Sequence, residues 1–272
     1  PLERALKEKN TSISKLIIDR VGDIEISDED GLNPLHRAVD EGMLDVVDYL
    51  IKKGANMQSK TKNGNTPLHV AARSGNLEVA KFLVNNGADI HSLNTPLHIA
   101  RTPSIAKCLL EHGAKVNASN ESGDTPLHFV QNFLTAKILI EKGGNVNASN
   151  NEGYTPLHTA RNTGGNVALV KLLLEQPCLD VNRLYHGKTP LHIACEKGHT
   201  DIVKLLLADN RCSHYINTYF NGKAPIHIAS EYGQTEILSN LLEKEPDVNA
   251  VDDNEWKNTP VFAGEASWFS FS

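Results

Sequence analysis

The 272-residue sequence is short of several things, and each shortage excludes a class of protein. Its four cysteines, Cys108, Cys178, Cys195 and Cys212, form no Cys-x-x-Cys pair, so no zinc site is expected. No stretch approaches the roughly 18 uninterrupted apolar residues of a membrane helix, so no membrane insertion is expected. Positive charge is in deficit, with 27 Lys and Arg against 33 Asp and Glu and a net charge of −6. Without a basic field or a basic stripe interleaved with aromatics, nucleic acid is not the expected partner. Pro1 to Asn10 is charged and helical in pattern, unlike a signal peptide. No G-x-S-x-G, H-E-x-x-H, glycine-rich phosphate loop or paired cysteine–histidine signature occurs, and carboxylates are scattered without visible pairing. We therefore expect no enzyme, no cofactor and no metal. Composition is otherwise ordinary for a soluble protein, with 40% hydrophobic and 22% charged residues.

What the chain does have is a tetrapeptide, Thr-Pro-Leu-His, at residues 66–69, 95–98, 125–128, 155–158 and 189–192. Looser copies stand at Asn33-Pro34-Leu35-His36, Ala224-Pro225-Ile226-His227 and Thr259-Pro260-Val261-Phe262, and Pro1-Leu2 is a vestige. From proline to proline the steps are 33, 33, 29, 30, 30, 34, 35 and 35 residues. A fixed period of this size means stacked small units. Locally the tetrapeptide is a helix start. Thr accepts a bond from an unpaired backbone N–H, and Pro at the first helical position gives up an N–H that would be unpaired anyway. Leu begins the apolar face, and His is suited to bonding backbone groups of a neighbouring unit.

The unit at Thr66 is the clearest. Pro67 to Arg73 is a first helix, Ser74-Gly75-Asn76 a tight turn, and Leu77 to Asn85 a second helix with apolar residues at helical spacing. Gly87 is the stop signal. Ahead of Thr66, Asn63-Gly64 supplies the positive φ of a reverse turn. Each unit is thus helix, turn, helix and a projecting finger. Seven of the twelve histidines sit in the tetrapeptide. Zinc ligands lie about 2 Å from one ion, whereas stacked units hold equivalent residues about 10 Å apart, so these histidines are read as structural. The same spacing keeps Cys178 and Cys212 apart, because a disulfide needs Cα atoms within about 7 Å. Free thiols in a reducing compartment follow.

With these features in register the chain resembles the ankyrin repeat family. The residues that carry the resemblance are Thr-Pro-Leu-His-x-Ala, the Gly-Ala pairs at residues 54–55, 87–88 and 113–114, the hydrophobic-Asn pairs at 116–117, 146–147, 181–182, 216–217 and 248–249, and the Asn/Asp-x-x-Gly fingers at Asp28, Asn120 and Asn150. It covers nearly the whole chain. It implies an all-α solenoid of stacked helix-turn-helix units with projecting β-turn fingers, and a concave face of fingers and first helices that binds other proteins. We expect one array over residues 1–272: a capping-like unit at 1–33, units starting near 34, 67, 96, 126, 156, 190 and 225, and a truncated or capping unit at 259–272. Because Pro1 sits one full period before Pro34, a fragment or processed form is expected, with a parent that continues upstream.

Departures from the pattern are informative. The finger between Ala88 and Thr95 is about four residues short of its neighbours' length. In the next unit Ile99-Ala100-Arg101 runs directly into Thr102-Pro103, itself a helix start. The unit at Thr125 is shortened in the same way. Residues 88–145 are therefore expected to form a notch, either tolerated loop variation or a partner-shaped recess. After Gly264 no second helix follows, and the aromatic tail Trp268-Phe269-Ser270-Phe271 either stops inside a repeat or caps the stack. Residues 19–48 hold ten acidic side chains against Arg20 and Arg37, and residues 52–81 reverse the sign. Such charges form a solvated face or steer a charged partner.

Two functions remain open. One is a protein-interaction scaffold that binds a partner protein or peptide, as a cytoplasmic monomer. The other is a targeting or regulatory segment of a larger enzyme, channel, toxin or secreted bacterial effector, which would place it in a host cytosol. The expected partner surface gathers the finger aromatics Tyr154, Tyr185, Tyr219, Phe220 and Trp256 with Tyr232 at a first-helix end. Arg161, Asn162, Glu196, Lys197 and Glu231 form its polar rim. The alternative is that these rings pack sideways and stiffen the stack. The resemblance also implies that asparagines of the hydrophobic-Asn pairs are either hydroxylation sites or backbone-bonding residues that order the loop.

Overall fold

A proline that opens a helix is stabilised by a residue before it whose side chain can meet the free end of the first turn, and all the described repeats but the one at Ala224 carry Asn or Thr there. In the computed structural model, which describes residues 1–92, 94–161, 167–213 and 215–247, α-helices begin at Pro34, Pro67, Pro126, Pro190 and Pro225 and 3-10 helices at Pro96 and Pro156. Asn33 accepts the His36 N–H at 3.0 Å, and Thr189 accepts the His192 N–H at 3.3 Å. Among the described residues there is no strand, only the isolated bridges Tyr185–Lys188 and Phe220–Lys223. The chain forms an all-α repeat solenoid.

The chain divides into two compact units: Pro1–Glu121 with Thr125–Gly144, and Ser122–Asp124 with Asn145 onward. In unit 1 the successive helix pairs are Leu2–Lys7 with Thr11–Ile18, Pro34–Asp40 with Leu44–Lys52, Pro67–Ser74 with Leu77–Asn85, Pro96–Ile99 with Pro103–Glu111, and Pro126–Phe129 with Phe133–Glu141. In unit 2 they are Pro156–Arg161 with Val167–Leu174, Pro190–Lys197 with Thr200–Ala208, and Pro225–Glu231 with Thr235–Leu242. Each first helix packs on its own second helix and on at least one neighbouring first helix, so apolar stripes are buried between successive pairs. Leu35, Val46, Val47 and Leu50 are fully buried in unit 1, as are Leu169, Leu173, Ile202 and Val203 in unit 2. Burial of each such side chain is worth about 1.5–3 kcal/mol.

Histidine locks neighbouring pairs together. His36 Nε2 lies 3.2 Å from the carbonyl of Asn65, His69 Nε2 lies 2.9 Å from that of Asn94, and His192 Nε2 lies 3.3 Å from that of Lys223. A carbonyl only accepts, so Nε2 holds the proton. Nδ1 then accepts the backbone N–H of the cap residue, at 3.1 Å for Thr66 and 3.3 Å for Thr189. A second proton would face that N–H. Burial, the leading cause, also disfavours the charged ring, and it holds His36 and His69 below the ordinary histidine value and His192 at about 4. The sequence expectation of a structural histidine that reaches the next unit is met.

The shortened repeats have single-turn first helices, at Pro96–Ile99 and Pro126–Phe129. Arg101 N–H donates to the Ala72 carbonyl at 3.1 Å, and Thr102 then caps Pro103–Glu111. Asn132 caps Phe133–Glu141. Phe129, Phe133 and Leu134 are left exposed at this place. The C-terminal stretch expected to cap or truncate the array, with Val248-Asn249, lies outside the described residues.

Candidate partner-binding surface

Two kinds of finger occur in the described chain. In unit 1 the Asp28 carboxylate accepts the backbone N–H groups of Asp30 and Leu32, both at 2.9 Å, and wraps a three-residue turn. The Asn150 side chain does the same for Glu152 and Tyr154 in unit 2. The last two described fingers of unit 2 are tighter. Tyr185 and Lys188 exchange both backbone bonds at 2.9 Å, as do Phe220 and Lys223. Two residues then span the turn, His186-Gly187 and Asn221-Gly222, all with positive φ. That conformation matches hairpin twist and favours Asn-Gly.

A tight turn places the residue just before the helix cap against the helix that follows. Lys188 therefore pairs with Glu196, and Lys223 pairs with Glu231 at 2.9 Å. Lys188 Nζ also stands 5.3 Å from the centre of the Phe220 ring, a cation–π distance. Lys197 approaches the second Glu196 oxygen at 3.4 Å. Burial alone would raise the Glu196 carboxyl, but the Lys188 ammonium, with Lys197 behind it, holds it below the usual carboxylate range. Lys188, Glu196, Phe220, Lys223 and Glu231, with Asn221, Ile228 and Tyr232, line an open hollow of about 310 Å³.

The expected site residues separate by exposure. Tyr232, at 55%, and Tyr219, at 47%, are open to solvent, as are Lys197 and Glu231. Tyr154 and Tyr185 are half-buried, with their rings edge-to-face at 5.0 Å, and Tyr185 O–H donates to Glu152. Phe220 is half-buried over Gly187, where an added Cβ would sit 2.6 Å from the ring. These three rings join adjacent fingers. The structure brings Glu196, Glu231, Phe220 and Tyr232 to one hollow, with Lys197 at its edge. Arg161 ends the Pro156–Arg161 3-10 helix, while Asn162 and Trp256 lie outside the described residues. Lys188 and Lys223 were not among the expected residues. Their signal was a lysine repeated just before the cap, eight residues ahead of a glutamate.

Three asparagines of the hydrophobic-Asn pairs, Asn117, Asn147 and Asn217, bond backbone. Asn117 Nδ2 donates to the Gly143 carbonyl at 2.9 Å, and Asn147 Nδ2 to the Cys178 carbonyl at 2.6 Å. Asn217 accepts the Asp247 N–H at 3.0 Å. The four thiols are free, with Cys178 exposed and the others buried. Burial pushes Cys212 up to about 12 and Cys195 up as well. Among the described residues no three His, Cys, Asp or Glu side chains converge on a metal position. No helix among them is long and apolar enough to cross a membrane.

Two family models match the chain. The model for ankyrin repeats in three copies matches residues 2–94, 130–218 and 163–252, and the single ankyrin repeat model matches 92–121. The chain belongs to the ankyrin repeat family. Comparison with curated proteins returns no match.

Proposed function

We propose that this chain is a protein-interaction scaffold and that unit 2 meets its partner through the fingers and first helices around Tyr219, Tyr232 and the Lys188–Glu231 hollow. Ankyrin repeats are in general interaction modules rather than catalysts. The observation that carries the reading is the exposure of Tyr232 on a hollow of ordered ion pairs, with exposed Tyr219 one residue ahead of the lining residue Phe220. Exposed tyrosine offers large contact area with few rotors, and the half-buried charges give direction to an arriving partner without leaving a buried charge unpaired. In this reading Tyr154, Tyr185 and Phe220 hold the fingers rigid, and Tyr219, Tyr232, Lys197 and Glu231 touch the partner. The partner is a protein, the working compartment is the cytoplasm, and the chain acts as a monomer.

Affinity purification from native cells, read by mass spectrometry, tests this with wild type, Tyr232→Ala and Glu231→Lys side by side. Proteins retained by wild type are expected to be lost from both variants at unchanged melting temperature. Equal recovery on all three would remove unit 2 as the binding surface.

A further inference from the structure

The acidic stretch of residues 19–48 and the first helix line an apolar hollow in unit 1. Leu2 and Leu6 come from the first helix, Ile26 and Asp28 from the first finger, and Leu32, Pro34 and Arg37 from the start of the next helix. Its volume is about 220 Å³, below the roughly 300–1,000 Å³ of small-molecule sites. Leu6 is buried in its floor, and Ile26 stands at its edge with 63% of its surface exposed. An isoleucine so exposed beside a concave apolar floor leaves apolar area that one inserted side chain would cover.

The charges around the hollow select what arrives. Arg37 is the one cation of its lining, and it is pinned between Asp28 and Glu3, with Glu3 at 3.6 Å. Lys7, foremost, and Arg37 hold the Glu3 carboxyl below the usual range, so it stays ionised. At the finger tip Glu29 and Asp30 are exposed and pair with no cation among the described residues. Three other acids of the stretch are engaged elsewhere: Asp19 by Lys53, Asp48 by Lys52, and Glu25 by Asn33 and the Asn56 N–H. The next finger has the opposite sign. Lys62 N–H donates to the Asp30 carbonyl at 3.0 Å, which sets Lys62, and Lys60 near it, beside the acidic tip. Glu29 and Asp30 thus hold unpaired negative charge on the first finger, beside the hollow.

We propose that this hollow receives a single aliphatic or aromatic side chain of an extended partner segment whose flanking residues are lysine or arginine. The inference rests on the protein-binding reading and adds a second docking point with its own chemistry. The inserted side chain supplies the anchor, and the basic flanks meet Glu29 and Asp30, a contact that salt screens.

A displayed random-peptide library, selected against the full 272-residue chain, tests it. Selected peptides are expected to share one apolar residue between lysines or arginines. Ile26→Asp is expected to weaken them about tenfold, the low end for a lost apolar pocket contact. Glu29→Lys with Asp30→Lys should turn the preferred flanks acidic while the apolar anchor persists. All of these side chains are exposed, and an unchanged melting temperature confirms that each variant is folded. Peptides indifferent to Ile26→Asp would overturn the inference and leave the unit 2 surface standing. So would acidic flanks on wild type, or a library that yields no binder. A concentration-dependent dimer dispersed by Ile26→Asp would also overturn it, by making a second copy the occupant.

Discussion

The hollows of unit 1 and unit 2 sit at comparable places in the repeat and differ at comparable positions. The residue just before the cap is Leu32 in unit 1 and Lys188 or Lys223 in unit 2. Six residues after the proline stand Asp40, Glu196 and Glu231. In unit 2 the pre-cap lysine reaches that glutamate, so the charges are consumed inside the hollow and aromatic rings form its walls. In unit 1 the pre-cap leucine joins an apolar floor, and Asp40 pairs with no cation among the described residues. A single position ahead of each helix thus decides whether a repeat presents an ion-paired hollow or an apolar one with an acidic rim.

Acid is expected to disturb the shared frame most. The unfolded histidine value is about 6.5, and His192 in unit 2 titrates at about 4 when folded. Between these values the unfolded chain binds more protons, so the contribution of His192 is fully present above about pH 6.5 and is lost as pH falls through about 4. The loss is roughly 3 kcal/mol from this residue, and His36 and His69 in unit 1 add to it in the same direction. Urea unfolding at pH 7.5, 5.5 and 4.5 should show a falling midpoint. An NMR titration should find the His192 ring still neutral at pH 5, and a ring protonated there would refute the assignment.

The two finger designs are separated by glycine substitution. Gly64 in unit 1 has φ +76 and open space around its missing side chain, so Gly64→Ala should cost only the left-handed strain, about 1 kcal/mol. Gly187 in unit 2 has φ +79 and faces the Phe220 ring. Gly187→Ala should cost about 2 kcal/mol, because the ring and its cation–π contact must shift as well. Equal losses in thermal unfolding would mean that Phe220 does not brace the finger.

Within unit 2, Tyr185→Ala should destabilise by about 1 kcal/mol, the value of an edge-to-face pair. Tyr232→Ala should stay within about 0.5 kcal/mol of wild type. A reversed order would exchange the bracing and binding roles assigned to these rings. A comparably small effect on stability is expected from Leu32→Lys, which moves the pre-cap lysine of unit 2 into unit 1. A new ion pair with Asp40 at the surface contributes under about 1 kcal/mol. Melting temperature should therefore change little, while basic-flanked peptides should lose affinity for the chain. Retained affinity would show that the pre-cap position does not set the chemistry of the hollow.

The periodic frame was legible in the sequence because its signals act over a few residues. An Asn or Thr cap, a proline at the first helical position and a glycine after the last turn work within one turn of chain. Together they placed the helix starts at Pro34, Pro67, Pro126 and Pro190 and the second start at Pro103, and the proline with its period placed the start at Pro225 behind Ala224. They did not tell a 3-10 turn from an α-helix at Pro96 and Pro156, because that depends on where the chain must go next. Tertiary structure alone decided which side chains meet. Lys188 finds Glu196 eight residues on, Phe220 lies over Gly187, and Arg37 settles between Glu3 and Asp28. Each meeting depends on how a finger is laid against a helix and on the neighbouring pair behind it. Hence the rings of Tyr154, Tyr185 and Phe220 look in sequence like Tyr219 and Tyr232, and only packing against adjacent fingers separates the ones that brace the scaffold from the ones left open to solvent.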